Sequence, residues 1–505
     1  MNIAHNLERA VRYFPDKPAI LFEGGETSYR QLEEAVNRTA RGLAALGVEI
    51  GDRVALLLPN IPAFAIAYLA IQKLGAVAVS VSAMLTTAEL DYVLADSGAK
   101  AIFTAETLWP ALEPLVEERL PRDRVVICEG EVPGVTTVEA LGASQKPEFK
   151  AREMERDTPA AILYTSGTTG RQKGAVLSHG NIISNLFTVN RYLRMSPADR
   201  VLVTTPLFHV AAQNVGMNAG LNAAATLVLQ RRFDVERCAV AIEEHKVTFM
   251  SGVPTIYIAL LNARVRPEAL SSVRLFQSAA ATMPVEIARR WQETYGKTVY
   301  EGYGLTETSP AATYNHEYEY RHGSVGTAVD MVEMRLFDAE DRDVPPGSWG
   351  EVVFKGPNVM LGYWNRPAET AEALRSGWFH TGDIGYLDEA GYLYLVDRVK
   401  DMINSAGFKI WPREVEEVLY QHPAIRECAV AGVPDPVKGE IAKAYIVLRD
   451  GGTLTEQELD AYCRGRLAAY KVPRAVAFLD QLPKSPAGKI LKRVLREQEA
   501  GRMPG

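Results

Sequence analysis

The sequence predicts an α/β protein with a large N-terminal domain of α/β subdomains, a β-rich subdomain and a small α+β domain at the C-terminal end. Three observations carry this prediction. The chain has 505 residues, more than a single hydrophobic core normally organises. Short apolar runs alternate with longer amphipathic segments from about residue 52 to residue 303. The residue pattern then changes twice, after about residue 325 and again after residue 400.

The first region alternates between candidate strands and helices, which is typical of α/β folds. Its strand candidates are VALLL, AVAVSV, AIF, AILYT, VLVTT, TLVL, TFMSGV and RLFQSA. Helix starts are indicated at Thr87 and Pro284. The most apolar stretch, 54–71, is interrupted by Pro59, Asn60 and Pro62, so it predicts a buried strand and helix and no transmembrane segment.

The second and third regions have different textures. EVVFKG and IGYLDEAGYLYLVDR predict strands and hairpins of a β-rich subdomain. Beyond Lys400, PREVEEVLYQ predicts a helix, ECAVAGV and KAYIVL predict strands, and TLTEQELDAYCRGRLA predicts a helix with a capping box at Thr455 and Glu458. The charged segment 397–401 between them is either an exposed turn or a hinge. We therefore predict an N-terminal domain at 1–398 and a C-terminal domain at 399–505.

Composition restricts the partners and the compartment. A formal net charge of -7 gives no overall attraction to nucleic acid, so none is expected as a partner. The four cysteines, Cys128, Cys238, Cys428 and Cys463, are widely scattered, and the N-terminus carries charges where a signal peptide needs an apolar core. These features predict a cytoplasmic protein.

The most informative segment is YTSGTTGRQKG at 164–174, between the apolar strand AAIL and a helix expected near His179. Small hydroxyl and glycine residues expose backbone N–H groups and hydroxyls to a polyanion, and Lys173 adds a positive charge. A triphosphate is the natural ligand. The Walker pattern is not met, since Lys173 follows Gln172 and no Ser or Thr comes next. By composition alone, a solvated turn explains the segment equally well.

The complete string resembles the phosphate loop of the adenylate-forming superfamily, which contains acyl-CoA synthetases, firefly luciferases and the adenylation domains of peptide synthetases. Further motifs of that superfamily follow in its order: PLFH at 206–209, EGYGLTET at 301–308, HTGD at 380–383, DRVKDMI at 397–403 and PKSPAGKILKR at 483–493. The chain is most similar to AMP-forming acyl-CoA synthetases, in particular bacterial medium- or long-chain fatty acid–CoA ligases. The resemblance implies ATP, Mg²⁺ and coenzyme A as cofactors.

The resemblance also implies roles for individual residues. Adenylation must stabilise charge on both the transferred group and the leaving pyrophosphate. The implied catalytic residues are Lys489, Thr306, Glu307 and His209, with Glu307 also the magnesium ligand. The implied nucleotide-binding residues are Thr165, Ser166, Gly167, Thr168, Thr169, Gly170, Lys173, Ser278, Ala279, Ala280, Tyr303, Gly304, Asp383 and Arg398. Among these, Tyr303 would stack on adenine and Asp383 would accept hydrogen bonds from the ribose.

The second half-reaction needs the coenzyme A thiol to reach a carbonyl that was shielded in the first. In the family, a mobile C-terminal domain resolves this conflict by turning about a hinge. The matching hinge position is Lys400. The turn would bring in the segment with Ser405, Ala406 and Gly407, where glycine lets the pantetheine arm pass closely.

The sequence restricts the identity of the substrate acid only in part. The resemblance places Phe208, Val210, Asn214, Met217 and Gly302 in the acyl pocket. Residues 210–221 contain no Arg, Lys or Asp, which disfavours diacids and amino acids. Fatty, alicyclic and aryl acids remain, with medium- or long-chain fatty acids favoured by the overall texture.

Some features leave alternatives open. Three alanines at 279–281 stand where fatty acyl ligases often carry glycine, and their methyl groups favour shorter or flatter acids. Other members of the superfamily load a carrier protein, emit light or only sense AMP. Loading of a carrier protein remains an open alternative, and no sequence feature indicates light emission. The presence of Glu307 and Lys489 disfavours a catalytically inactive AMP sensor. A homodimer is compatible with the sequence.

Overall fold

The computed structural model describes residues 1–165, 172–485 and 488–500. In chain order its strands are β1 Pro18–Phe22, β2 Gly25–Ser28, β3 Arg53–Leu57, β4 Val77–Ser80, β5 Ala101–Thr104, β6 Val125–Ile127, β7 Thr136–Thr137, β8 Pro159–Thr165, β9 Lys173–Ser178, β10 Arg200–Val203, β11 Thr226–Leu229, β12 Phe249–Gly252, β13 Leu275–Ser278, β14 Val299–Gly304, β15 Ala311–Tyr314, β16 Thr327–Ala328, β17 Glu333–Phe337, β18 Gly350–Lys355, β19 Gly362–Tyr363, β20 Phe379–Leu387, β21 Leu393–Arg398, β22 Ile403–Ser405, β23 Phe408–Ile410, β24 Ile425–Asp435, β25 Gly439–Leu448 and β26 Ala475–Phe478.

The α-helices are α1 His5–Tyr13, α2 Tyr29–Ala45, α3 Pro62–Leu74, α4 Thr87–Ser97, α5 Trp109–Leu112, α6 Val138–Ala143, α7 His179–Tyr192, α8 Ala219–Asn222, α9 Val235–His245, α10 Pro254–Asn262, α11 Val285–Tyr295, α12 Pro367–Ala373, α13 Pro412–Tyr420, α14 Glu456–Arg464 and α15 Lys492–Ala500. A π-helix spans Ala211–Asn218. The helix α4 begins at Thr87 as predicted, although the capping hydroxyl belongs to Thr86. In the described residues, no helix is both long and apolar enough to cross a membrane.

Two large, mostly parallel sheets form the first part of the chain. One has the strand order β19-β9-β8-β4-β3-β5-β6-β7, and the other has the order β16-β15-β14-β13-β12-β10-β11-β1-β2. A shared core of buried residues from both sheets and from α2, α3 and α7 lies between them. The helix α3 is buried over most of its surface, which explains why its sequence is apolar all round.

The parallel strands bring their carboxyl ends to one cleft. β4, β8, β13 and β14 end at its walls. Ligands of open α/β sheets bind in the crevice outside the carboxyl ends of the strands. The fold therefore marks this cleft as the candidate site.

The last two sheets account for the changes in sequence texture. β17-β18-β20-β21 form an antiparallel sheet, as predicted for the β-rich subdomain. β22 to β26 form a separate sheet that packs with α13 and α15. The capping box at Thr455 and Glu458 is present at the start of α14. The predicted fold class is confirmed, while the boundary between residues 398 and 399 stays a prediction.

Candidate active site

The cleft has a volume of about 630 Å³, and its lining residues form two chemically different sets, which we call the charged end and the inner end. Its charged end is lined by Lys173, Glu307, Arg398 and Lys489, and Thr165, His209, Ala279, Ala280, Tyr303, Gly304 and Thr306 also line the cleft. Its inner end is lined by uncharged side chains from α7, β13, β15 and the π-helix: Thr188, Val189, Tyr192, Leu193, Val215, Gln277, Thr313 and Tyr314. Most of the predicted site residues in the described ranges are thus brought together.

The predicted phosphate loop connects two strands of a β-hairpin. Thr165 ends β8 and pairs with Lys173, which begins the antiparallel strand β9. The helix expected near His179 is confirmed as α7, which begins at His179, and the strand β9 precedes it in the chain. β9 was missed because KGAVLS is short and follows a glycine-rich run. The predicted residues Ser166, Gly167, Thr168, Thr169 and Gly170 lie outside the described residues.

Three predicted nucleotide-binding residues form one hydrogen-bonded group. The Tyr303 hydroxyl donates to Asp383 Oδ2 over 2.6 Å. Arg398 Nε lies 2.9 Å from Asp383 Oδ1, and the two residues pair across β20 and β21. Ser278 is buried and does not line the cleft, whereas the adjacent Ala279 and Ala280 do. Side chains alternate along a strand, so Ser278 points away from its neighbour Gln277.

Glu307 has the surroundings expected of a magnesium ligand. Its carboxylate is buried, which raises its pKa, and Oε1 accepts a hydrogen bond of 2.8 Å from the Tyr363 hydroxyl. The described residues contain no cluster of three or more acidic, histidine or cysteine side chains able to hold a metal. Mg²⁺ typically uses one or two carboxylates together with substrate phosphates. A single buried carboxylate beside a phosphate loop fits that pattern.

Lys489 reaches the cleft from the C-terminal part of the chain. Gly488, at φ +84, lets the chain turn closely against α10, since a Cβ there would lie 2.9 Å from Thr255 Oγ1. The Thr255 hydroxyl donates to the Gly488 carbonyl over 3.0 Å. Desolvation, followed by the charge of Arg398, lowers the pKa of Lys489 to about 8. Desolvation and the charge of Lys489 lower the pKa of His209 to about 4, so His209 is neutral at pH 7.

A comparison with known proteins decides the family. The family model of the AMP-binding enzymes matches residues 7–364, and the model of their C-terminal domain matches residues 414–489. The chain belongs to the AMP-binding enzyme family. It is an AMP-forming acyl-CoA ligase, as the motifs predicted.

Three relatives illustrate the range of the family around this enzyme. A feruloyl-CoA synthase from Amycolatopsis sp is 40% identical, with 97% of each chain covered. A long-chain-fatty-acid–CoA ligase from Bacillus subtilis is 37% identical, covering 96% of this chain and 92% of its own. The crystal structure of an anthranilate CoA ligase in complex with anthranoyl-AMP is 28% identical and superposes with a TM-score of 0.93, covering 100% of this chain and 98% of its own.

The predicted hinge and coenzyme A residues of the enzyme lie outside the cleft. Lys400 is exposed in a short 3-10 helix, Val399–Asp401, between β21 and β22. Ser405 is buried and pairs with Gly439, and Ala406 and Gly407 form the turn between β22 and β23. None of the three predicted coenzyme A residues lines the cleft, whereas Lys489 does. The enzyme is therefore in the arrangement that presents the lysine to the cleft.

The structure brings only some of the predicted acyl-pocket residues to the cleft. Phe208, Val210 and Gly302 line the cleft. Asn214 and Met217 do not: Asn214 Nδ2 donates to the Ser309 carbonyl over 3.0 Å, and Met217 is fully buried in the core. Val215, which lies in the π-helix Ala211–Asn218, lines the cleft although it was not predicted.

Several lining residues were not predicted. Gln277 and Tyr192 line the inner end, and Tyr363 lines the charged end. Gln277 precedes the predicted nucleotide-binding run 278–280 by one residue, whereas Tyr363 lies in none of the motifs named above. No local sequence pattern marks Tyr192, at the end of α7, as a cleft residue, because only the packing of α7 against β15 brings it there.

The lowered pKa of Lys489 predicts the pH dependence of adenylation. Only the protonated ammonium can stabilise phosphate charge, so kcat/KM for ATP in acyl-adenylate formation is expected to fall as the pH rises through about 8. The measurement is pyrophosphate exchange between pH 6.5 and 9.5. Lys489→Arg stays charged over that range and should remove the inflection. A wild-type profile that is flat to pH 9.5 would contradict this prediction.

Proposed function

We propose that this acyl-CoA ligase acts on aromatic carboxylic acids that carry no charged group other than the reacting carboxylate. The supporting observation is the inner end of the cleft, which combines aromatic and polar neutral walls. The Tyr192 and Tyr314 rings lie 5.6 Å apart and both line it, and the side chains of Gln277, Thr188 and Thr313 join them. Aromatic faces bind a flat ring well. Gln277 Oε1 and the Tyr314 hydroxyl are buried without a hydrogen-bond partner among the described residues, and a long alkyl chain would offer them none.

The positions of the cationic side chains in the cleft restrict the charge that the substrate acid can carry. The lysine and arginine residues that line the cleft in the described ranges, namely Lys173, Arg398, Lys484 and Lys489, belong to the phosphate hairpin, to β21 and to the C-terminal part. The inner end therefore offers no counter-charge to a second carboxylate, whose burial would be costly. The acid is expected to carry its reacting carboxylate as its only charge.

Medium- or long-chain fatty acids are the second candidate. The Bacillus subtilis relative is named for long-chain fatty acids, and Val189, Leu193 and Val215 provide apolar surface at the inner end. The feruloyl-CoA synthase and the anthranilate CoA ligase are named for aryl acids, and they agree with the aromatic wall. We favour the aryl acids because Ala279 and Ala280 place methyl groups on the cleft wall.

In the first half-reaction, a carboxylate oxygen of the acid attacks the α-phosphorus of ATP and pyrophosphate leaves. We propose that Lys173, with the loop 166–170, holds the β- and γ-phosphates, while Thr306 and Lys489 stabilise charge at the α-phosphate. Tyr303 and the Ala279–Ala280 edge would enclose the adenine, and Asp383 with Arg398 would bind the ribose. Mg²⁺, held by Glu307, would neutralise phosphate charge.

In the second half-reaction, the coenzyme A sulfur attacks the acyl carbonyl, the thiol proton is lost and AMP leaves. We propose that the part from residue 399 onward rotates about Lys400, withdraws Lys489 and presents Ser405, Ala406 and Gly407. Gly407 has φ +88 and no atom within 4 Å of its ideal Cβ position, so it leaves room for a narrow ligand. We place the reaction in the cytoplasm, which suits four unpaired cysteines.

A substrate panel tests the proposal. The enzyme is incubated with Mg-ATP, coenzyme A and benzoic, hydroxycinnamic, alicyclic, decanoic or palmitic acid, and AMP and acyl-CoA are measured by mass spectrometry. We expect an aryl acid to give the highest kcat/KM, with one AMP per thioester. Palmitate as the best substrate would support the second candidate. AMP and acyl-adenylate without thioester would indicate a carrier protein as the acceptor.

Ala280→Gly is the matched variant for the same panel. Ala280 has φ +66, a left-handed conformation that favours glycine, so the substitution relieves backbone strain while removing one methyl group from the cleft wall. Loss of that methyl group should shift the ratio of kcat/KM toward longer acids by about tenfold. An unchanged ratio would show that Ala280 does not limit the length of the acid.

A further inference from the structure

A short strand brings a tyrosine between the phosphate hairpin and the proposed magnesium ligand. β19 pairs antiparallel with β9, and Tyr363 lies opposite Ala175. Lys173 and Ala175 are two residues apart on β9, so their side chains leave the same face. Lys173 Nζ lies 5.3 Å from the centroid of the Tyr363 ring, which is within cation–π distance.

The same tyrosine holds Glu307. Its hydroxyl donates to Glu307 Oε1 over 2.8 Å, and the nearby Met360 N–H donates to the Glu307 carbonyl, also over 2.8 Å. A phenol is protonated at neutral pH, so the Tyr363 hydroxyl is the donor in this hydrogen bond. The Tyr363 ring thus lies within cation–π distance of Lys173, and its hydroxyl orients the Glu307 carboxylate.

The residues that follow Tyr363 are anchored on α4. Trp364 Nε1 donates to the Asp96 carbonyl over 3.0 Å, and Arg366 Nη2 lies 3.2 Å from Asp96 Oδ1. Asp96 Oδ2 accepts a hydrogen bond of 2.8 Å from the hydroxyl of Tyr164, which is in β8. Asp96 therefore ties the segment after Tyr363 to the base of the phosphate hairpin.

A second path closes the network at the other strand of the hairpin. The Tyr92 hydroxyl donates to the Gln172 carbonyl over 2.9 Å and accepts a hydrogen bond of 2.9 Å from Arg366 Nη2. The backbone N–H of Trp364 donates to the Gly174 carbonyl over 2.7 Å. Both ends of the phosphate loop are thereby fixed to the segment that carries Tyr363. Networks of this kind hold their members in one arrangement.

We propose that Tyr363 is a positioning residue that holds the Glu307 carboxylate and the Lys173 ammonium in the arrangement that binds the magnesium nucleotide. Asp96 supports Tyr363 indirectly, because it holds the following residues Trp364 and Arg366. The proposal rests on the functions proposed for Glu307 and Lys173. Groups that hydrogen-bond to a metal ligand orient it, and their loss commonly lowers metal affinity about 10- to 100-fold.

Tyr363→Phe tests the proposal, because it keeps the ring beside Lys173 and removes the hydroxyl. We expect the affinity for Mg-ATP, measured by calorimetry, to fall about tenfold. Affinity for ATP in EDTA should stay unchanged, and so should thioester formation from a preformed acyl-adenylate. Mn²⁺ bound to the enzyme–ATP complex, followed by electron paramagnetic resonance, should show the same loss without any turnover.

Two further variants separate positioning from general damage. Tyr392→Phe removes a hydroxyl that donates to the Glu319 carbonyl outside the cleft, and it should behave as wild type. Asp96→Asn weakens the anchor behind Tyr363 and should shift Mg-ATP affinity in the same direction by a smaller factor. This second variant keeps the test informative if Tyr363→Phe lowers the Tm.

The outcomes distinguish this inference from the function on which it rests. Wild-type Mg-ATP affinity in Tyr363→Phe, together with a strong loss in Glu307→Gln, would overturn the positioning role and leave the magnesium role of Glu307 intact. Unchanged metal response in Glu307→Gln would remove the proposed magnesium ligand and the inference with it. An equal loss of ATP affinity with and without Mg²⁺ in Tyr363→Phe would also overturn the inference.

Discussion

Replacing Lys489 with alanine is expected to slow acyl-adenylate formation at least about a hundredfold, the effect of losing a preorganised charge donor. Thioester formation from a chemically prepared acyl-adenylate should stay close to the wild-type rate, because the proposed rotation withdraws the lysine from the cleft for that step. Pyrophosphate exchange measures the first half-reaction, and single-turnover release of acyl-CoA measures the second.

The structure explains why this lysine has no substitute. The loop that carries it is docked by the Thr255–Gly488 hydrogen bond, and the side chain lines the charged end of the cleft. Lys484 also lines the cleft but pairs with Glu427 Oε1 at 2.8 Å, which makes Lys484→Ala the matched control. Lys484→Ala should adenylate at close to the wild-type rate. Comparable losses in both half-reactions of Lys489→Ala would contradict the assignment.

Lys400→Pro should have the opposite selectivity. Proline fixes φ near about −65°, which is compatible with the 3-10 helix Val399–Asp401 but opposes the backbone rotation that a hinge requires. We expect thioester formation to fall about a hundredfold, whereas adenylation, which uses the arrangement already present, falls only a few-fold. Quenched-flow measurement of acyl-adenylate and acyl-CoA separates the two steps.

The proposed rotation would have to break specific hydrogen bonds. Besides the Thr255–Gly488 hydrogen bond, the Val285 N–H donates to Glu417 Oε2 over 3.2 Å, and Arg449 Nη1 donates to Asn262 Oδ1 over 3.2 Å. All three link the part before residue 398 to the part after it. Lys400→Ala removes the charge and keeps φ free, so it should retain thioester formation. An equal loss of both half-reactions in Lys400→Pro would reject a hinge at this position.

Local sequence was sufficient for most elements and for the family. Alternating short apolar runs predicted the parallel strands, and a capping box predicted the start of α14, because both signals depend on residues only a few positions apart. The motifs also identified Lys489, Glu307, His209 and Arg398, which the fold brings to one cleft. The ordered motifs were enough to recognise the ligase, although they did not determine the acid.

Tertiary structure decided the features that depend on distant residues or on the exact helix geometry. Within the π-helix Ala211–Asn218, Val215 lines the cleft whereas the buried Asn214 does not, and Met217 is buried in the core, an arrangement that residue types do not reveal. Tyr363 contacts Glu307 across 56 residues, and Thr255 docks Gly488 across 233 residues. By itself, then, the sequence determined the fold class and the ligase chemistry, and it predicted reactive groups of which several line the cleft. Which side chains touch was decided only by the folded chain, since hydrogen bonds between remote segments form only after strand pairing and packing have set their positions.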